Sequence, residues 1–119
     1  MRRILITGSR SWRDKSIIHS AINKHTDGLN PENVTIVHGD CPTGADRIAD
    51  EYAREQGFNV ESHPADWSQG RKAGPLRNKK MITLGADICL GFPSCDSRGT
   101  RGCLRMAHEA GIPLYIWEA

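Results

Sequence analysis

At 119 residues, with 38% hydrophobic and 25% charged side chains, the chain has the size and composition of one ordinary globular domain, which excludes a disordered or fibrous protein. A formal net charge of +2 is too small to announce nucleic acid by itself, and no apolar run approaches the roughly 20 residues that cross a bilayer. The stretch Met1-Arg2-Arg3-Ile4-Leu5-Ile6 has two arginines before an apolar run too short for a signal peptide, so the expected location is the cytoplasm.

The first strand is expected over Ile4 to Thr7, and "TGSRSWRD" follows at once. Gly8 there lets backbone approach a ligand, Ser9 and Arg10 offer donors, and the helix behind adds partial positive charge, which together suit phosphate. A plain tight turn is the alternative, because "TGSR" lacks the GxGxxG pattern. Trp12 is open between packing and stacking, and Asp14 belongs to the start of the next helix. That helix, Asp14 to His25, carries Ile17, Ile18, Ala21 and Ile22 on one side.

A second strand, Val34 to His38, is apolar enough to be covered on both faces. His38 at its end reads as a buried, hydrogen-bonded histidine rather than a catalytic one. The loop "HGDCPTGAD" brings Gly39 and Gly44 around a helix start. The helix, Gly44 to Gln56, has the clearest amphipathic pattern, with Ala45, Ile48, Ala49, Tyr52 and Ala53 on one stripe. Thr43 and Asp46 are spaced as a capping box, and Gly57 supplies the stop. Asp46 is therefore expected as a cap, with contact to a ribose hydroxyl as the alternative.

After a third strand, Asn59 to Ser62, comes the long loop "HPADWSQGRKAGPLRN". Such a length in a compact domain is usually functional or disordered. It carries Asp66, a candidate for sugar contact, and Trp67, which either stacks on a base or fills a gap beneath the loop. The third helix, Pro75 to Leu84, puts Arg77 in its first turn, where a cation opposes the helix dipole and an external anion explains it. Asn78 is a candidate partner, whereas Lys79 and Lys80 read as a solvated face.

The fourth strand, Asp87 to Gly91, leads into "GFPSCDSRGTRG", and a fourth helix is expected from Arg101 to Ala110 before the strand Pro113 to Trp117. Gly99 and Thr100 beside a helix start make a second phosphate cradle, reinforced by Arg98 and Arg101. Gly102 in a helix's first turn costs about 1 kcal/mol relative to alanine, which suggests close approach of a ligand or of backbone.

Strand and helix alternate throughout, so one Rossmann-like α/β three-layer sandwich is expected, with about five mostly parallel strands and four main helices. In such sheets ligands bind outside the carboxyl ends of the strands, where strand order reverses. Four loops rich in glycine and cations would meet there. The four cysteines form no CxxC pair and are expected as thiols. His38, Cys41, Cys95 and Cys103 are a conceivable metal set, but their spacing requires none, and no metal is expected.

The order of "ITGSRSWRD", "VHGDCPTGADRIADEYA", "HPADWSQGRKAGPLRN" and "FPSCDSRGT…AHEAGIPL" resembles the SLOG superfamily, specifically its small YspA-type, cpYpsA-related branch of actinobacteria and their phages. The resemblance runs from about residue 4 to residue 116. It implies a Rossmann-like fold and a pocket for nucleotides or nucleotide-derived molecules; relatives include the Lonely Guy phosphoribohydrolases, the DNA-processing protein A and sensor domains. Arg77 and Met81 are similar to an arginine and methionine pair of the phosphoribohydrolases. Gly99-Thr100 matches part of their PGGxGTxxE motif, but its glutamate position falls on Cys103. Glu109 is better explained by an i, i+4 pair with Arg105. Asp46, Asp66 or Asp96 would have to supply a carboxylate in its place, and no catalytic residue is nominated.

The first reading is a binding module that senses, sequesters or presents a phosphate-bearing nucleotide derivative. Gly8, Ser9, Arg10, Gly99 and Thr100 would hold phosphate, Arg77 would pair with it, and Asp46 or Asp66 would contact the sugar. Gly39 and Arg98 complete the lining. The alternatives are a hydrolase of the nucleotide's N-glycosidic or phosphate bond, and a single-stranded nucleic-acid binder. Magnesium accompanying the phosphate is open, since no carboxylate cluster demands it. A homodimer is open too, and no membrane partner is expected.

Overall fold

The computed structural model describes residues 1–95 and 97–118. Five parallel strands form one sheet in the order β3-β2-β1-β4-β5. They are β1 (Arg2–Gly8), β2 (Val34–His38), β3 (Asn59–Ser62), β4 (Ile88–Phe92) and β5 (Leu114–Ile116). The central β1 pairs with β2 through Ile4↔Ile36 and with β4 through Ile6↔Leu90. Successive β1 side chains face opposite sides, and both sides are apolar because helices cover both.

On one face Ile4, Ile6, Ile36 and Leu90 pack against α1 (Lys15–Thr26) and α2 (Ala45–Gln56). On the other, Leu5, Val37 and Cys89 meet Met81 of α3 (Ala73–Leu84) and Cys103, Leu104 and Ala107 of α4 (Arg98–Glu109). Each fully buried Leu or Ile is worth roughly 1.5–3 kcal/mol in such a core. The α/β Rossmann-like sandwich expected from the alternating pattern is the fold of the protein. Among the described residues, no helix is long and apolar enough to cross a membrane.

Several boundaries differ from those expected, each for a physical reason. The third helix begins at Ala73, two residues before Pro75, because a proline's missing N–H is no loss within a helix's first turn. That moves Arg77 into the second turn. The fourth helix begins at Arg98 rather than Arg101, so its glycines lie inside it; packing of Cys103 and Leu104 against the sheet outweighs their poor propensity. The long third loop holds a 3-10 turn, Trp67–Lys72, kinked at Gly70 where φ is 75°.

The capping box expected at α2 does not form. The helix starts behind Gly44, at φ 78°, and carries no side-chain cap. A Cβ on Gly44 would fall on the Ser9 carbonyl and the Arg10 backbone, because the helix end is docked directly on the loop after β1. Ala45 N–H donates to Ser9 O (3.0 Å) and the Thr43 hydroxyl to Arg10 O (2.9 Å). Thr43 thus fastens two loops together. Asp14 does cap α1, accepting from the amides of Ser16 and Ile17. Trp12 is resolved as packing: it is 6% exposed, meets Phe92 edge-on at 5.5 Å and donates its ring N–H to Asp14 O.

Candidate functional site

Strand order reverses between β1 and β4, and a cavity of about 580 Å³ opens there over the carboxyl ends of β1, β2 and β4. The loops after all three strands line it, with the first residues of α4 and one side of α3. Of the candidate residues, Gly8, Ser9, Arg10, Gly39 and Asp46 reach it from the first two loops. Trp67, Arg77 and Asn78 reach it from the third region, and Arg98, Gly99 and Thr100 from the fourth. Asp66 is not among the lining residues.

The loop after β1 is not an amide cradle. Ser9 N–H donates to Phe92 O (2.9 Å), Trp12 N–H to Ser9 O (3.3 Å) and Ser11 N–H to Ser9 Oγ (3.1 Å). The helix end behind it is already satisfied by the Asp14 carboxylate. A Cβ on Gly8 would fall on Ala45 Cβ, so this glycine is needed for close helix–strand packing. What the loop offers the cavity is side chains. Arg10 lays its guanidinium over the Trp67 ring, 5.3 Å from its centroid.

The loop after β2 is fastened at each successive amide. Gly39 N–H and Cys41 N–H donate to Asp46 Oδ2 at 3.2 and 3.3 Å, and Asp40 N–H to His38 Nδ1 at 2.9 Å. Asp46 therefore braces the preceding loop instead of completing a cap. Burial raises its carboxyl pKa, against the opposing pull of the Cys41 hydrogen bonds. His38 is the buried histidine expected. Its Nδ1 accepts, so its ring proton sits on Nε2, which donates to Asp50 Oδ2 at 2.7 Å. With both ring nitrogens used and Cys103 in the apolar core, the set His38, Cys41, Cys95 and Cys103 does not assemble. No cluster of three potential metal ligands exists among the described residues.

Arg77 corrects its own explanation. It sits in the second turn of α3, and its guanidinium donates to Gly39 O, to His63 O (3.3 Å) and to Asn78 Oδ1 (2.7 Å). It ties the loops after β2 and β3 to the helix, so protein carbonyls already account for a cation there. Asp66 caps the 3-10 turn, accepting from the Ser68 amide (3.2 Å) and hydroxyl (2.6 Å). The Ser68 hydroxyl holds its carboxyl below the ordinary range. Trp67 is 55% exposed at the cavity mouth, so it does not fill a gap beneath the loop.

The start of α4 has a different character. Its N-cap is Ser97, but the Ser97 hydroxyl makes no cap bond and instead accepts from Ser94 N–H at 2.9 Å. The helix's first internal bond runs from Arg101 N–H to Ser97 O, which leaves the amides of Arg98, Gly99 and Thr100 ahead of it at the cavity. Arg101 turns away, donating to Glu118 and to Ser94 O, both at 3.2 Å. Gly102 has nothing within 4 Å of a Cβ, so neither neighbouring backbone nor the first turn explains it. Cys103 is buried in the core, and burial pushes its thiol pKa up. Asp96 lies outside the described residues.

Ser11, Arg71, Ser94 and Ser97 also line the cavity and were not among the candidates. The signal for the serines was their recurrence after the first and fourth strands, which a parallel sheet brings to one edge.

A family model described as "YspA, cpYpsA-related SLOG family" matches residues 2–70. The chain is 50% identical over 122 residues to the Gene 61 protein of Mycobacterium phage D29, covering 96% of this chain and 94% of that protein. Among solved structures it is similar to two structures of the C-terminal domain of PF1911 hydrogenase from Pyrococcus furiosus. Their TM-scores are 0.54 and 0.53 at 15% and 17% identity, covering 97% and 98% of this chain and 89% and 91% of those chains. That likeness is one of fold.

Proposed function

The chain belongs to the YspA, cpYpsA-related SLOG family, and from that premise we propose that it binds a phosphate-bearing nucleotide derivative in the cavity between β1 and β4. The observation that carries the reading is the start of α4. The N-cap serine, Ser97, turns its hydroxyl away and does not cap the helix, and the first-turn residues Arg98, Gly99 and Thr100 line the cavity. Partial positive charge from first-turn amides without a cap among the described residues, with a neighbouring guanidinium, suits a phosphate dianion. Arg10 and Arg71 add positive charge along the wall, and the exposed Trp67 face suits a planar base.

The test is a thermal-shift and calorimetric screen against nucleoside monophosphates, cyclic dinucleotides and ADP-ribose derivatives. A ligand at 100 times its Kd stabilises the fold by about 2.7 kcal/mol. Arg98→Glu is expected to abolish the shift while leaving the unliganded melting temperature close to that of the parent. No shift with any phosphate compound would overturn the proposal.

One observation favours a hydrolytic reading as the second. Asp46 lines the cavity with a carboxyl whose affinity for a proton burial has raised, as a general acid requires. Release of free base from a nucleoside monophosphate, lost in Asp46→Asn, would establish it. Binding without base release would exclude it for that substrate.

A further inference from the structure

Four serine hydroxyls join the loop after β1 to the loop after β4. Ser94 Oγ donates to Ser9 Oγ at 3.0 Å, Ser9 Oγ and Ser11 Oγ are 2.8 Å apart, and Ser94 Oγ and Ser97 Oγ are 3.0 Å apart. Two backbone amides enter the same cluster, Ser11 N–H on Ser9 Oγ (3.1 Å) and Ser94 N–H on Ser97 Oγ (2.9 Å). All four residues line the cavity.

Proton counting orients this chain. A hydroxyl has one proton to give and two lone pairs to receive. Ser9 Oγ already receives from Ser11 N–H and from Ser94 Oγ, so both its lone pairs are occupied. Its own proton therefore goes to Ser11 Oγ, its remaining partner among the described residues, at 2.8 Å. Ser94 has spent its proton on Ser9, so the bond between Ser94 and Ser97 is donated by Ser97. The direction is Ser97 to Ser94 to Ser9 to Ser11. One proton leaves the chain, at Ser11, whose hydroxyl has no acceptor among the described residues and is exposed at the cavity.

We propose that Ser11 is a specificity-determining donor for an anionic ligand oxygen, and that Ser94 is the positioning residue that turns the Ser11 proton toward the cavity. The inference rests on the phosphate-binding reading above. Each bond in a hydroxyl chain polarises the next, so the terminal donor is stronger than a lone serine. Arginines Arg10 and Arg98 line the same cavity, which makes the acceptor an anion rather than a neutral group. The role of Ser94 follows from the same count. Without its hydroxyl, Ser9 regains a free lone pair, so the Ser9–Ser11 bond can reverse: Ser11 turns its proton inward onto Ser9, and Ser9 turns its own toward the cavity that it lines. The loop after β4 thereby sets what the loop after β1 presents.

Calorimetric titration with AMP and with ribose 5-phosphate tests this on wild type, Ser11→Ala, Ser94→Ala, Ser94→Thr and the Ser11→Ala/Ser94→Ala double variant. Ser11→Ala is expected to weaken both ligands about tenfold, the usual cost of one hydrogen bond to a charged group. Ser94→Ala is expected to weaken them severalfold alone and not at all further in the Ser11→Ala background. Ser94→Thr, which keeps the hydroxyl, is expected to restore wild-type affinity. Ser11 is exposed, so its truncation leaves the fold intact, and melting curves check the Ser94 variants. Wild-type binding with Ser11→Ala within twofold of it overturns the inference and leaves the phosphate-binding reading standing. Equal losses from Ser94→Ala in both backgrounds overturn the relay, because Ser94 then acts on the ligand or the loop directly. Failure of wild type to bind either phosphate ester overturns the reading and the inference together.

Discussion

Glu61 on the edge strand β3 receives both ends of the Arg3 guanidinium, at 2.9 and 2.8 Å, and lies 2.7 Å from His63 Nε2. The Arg3 hydrogen bonds, then His63, lower its carboxyl pKa from the ordinary 4.5 to about 2. A carboxyl depressed in the folded state contributes stability that is complete above its unfolded value and lost as pH falls through the folded one. Urea midpoints of the wild type should therefore drop between pH 4.5 and about pH 2, and Glu61→Gln should show a shallower fall across that window. Equal slopes would mean the bridge adds nothing to the fold. Gly8 allows a second test at this scale. A Cβ there meets Ala45 Cβ and the Phe92 carbonyl, neither of which can swing aside. Gly8→Ala should cost about 1–3 kcal/mol by chemical denaturation, since α2 must back away from β1.

Among the elements, α4 carries a cost without a local reason. Gly102 is the fifth residue of the helix, has open space where a Cβ would stand, and does not line the cavity. Gly102→Ala should stabilise the protein by up to about 1 kcal/mol without changing AMP affinity, as read by denaturation and calorimetry. A loss of stability would show that an unseen neighbour approaches the helix there. The helices α2 and α4, on opposite faces of the sheet, start differently. The start of α2 is docked on Ser9 O through the Ala45 amide, whereas the first three residues of α4 line the cavity. The sequence already favoured the α4 start as the phosphate cradle and read the α2 start as a capping box; it did not show that α2 would instead dock on the loop after β1.

For the whole molecule, cations gather at one cavity while the formal net charge is only +2. A ligand held by a few arginines in a crevice should lose affinity only modestly between 50 and 200 mM salt. A protein tracking a nucleic-acid backbone through many phosphate contacts would lose about a thousandfold or more over the same range. Titrating AMP and a short single-stranded oligonucleotide at both salt concentrations separates the two. A steep loss for the oligonucleotide, with tight binding at low salt, would reinstate nucleic-acid recognition.

The sequence by itself determined the layers and the edge of the sheet that matters. Apolar runs such as Val34-Thr35-Ile36-Val37 between helical stripes admit little but a covered parallel sheet, and that topology sends the loops after β1, β2 and β4 to one rim. Every candidate ligand residue but Asp66 was placed at the cavity for this reason, whereas Ser11, Arg71, Ser94 and Ser97 were missed. The roles were not legible, because a role depends on which donor meets which acceptor across separate loops. Gly8 looked like a phosphate glycine and serves close packing; Arg77 looked like an anion's partner and holds carbonyls. Ser94, whose place in the sequence shows no partner, gains meaning 85 residues from Ser9 through one hydroxyl contact. Periodicity is a local property that a chain writes along itself, whereas hydrogen-bond direction is settled only when distant loops come within 3 Å and each proton finds one taker.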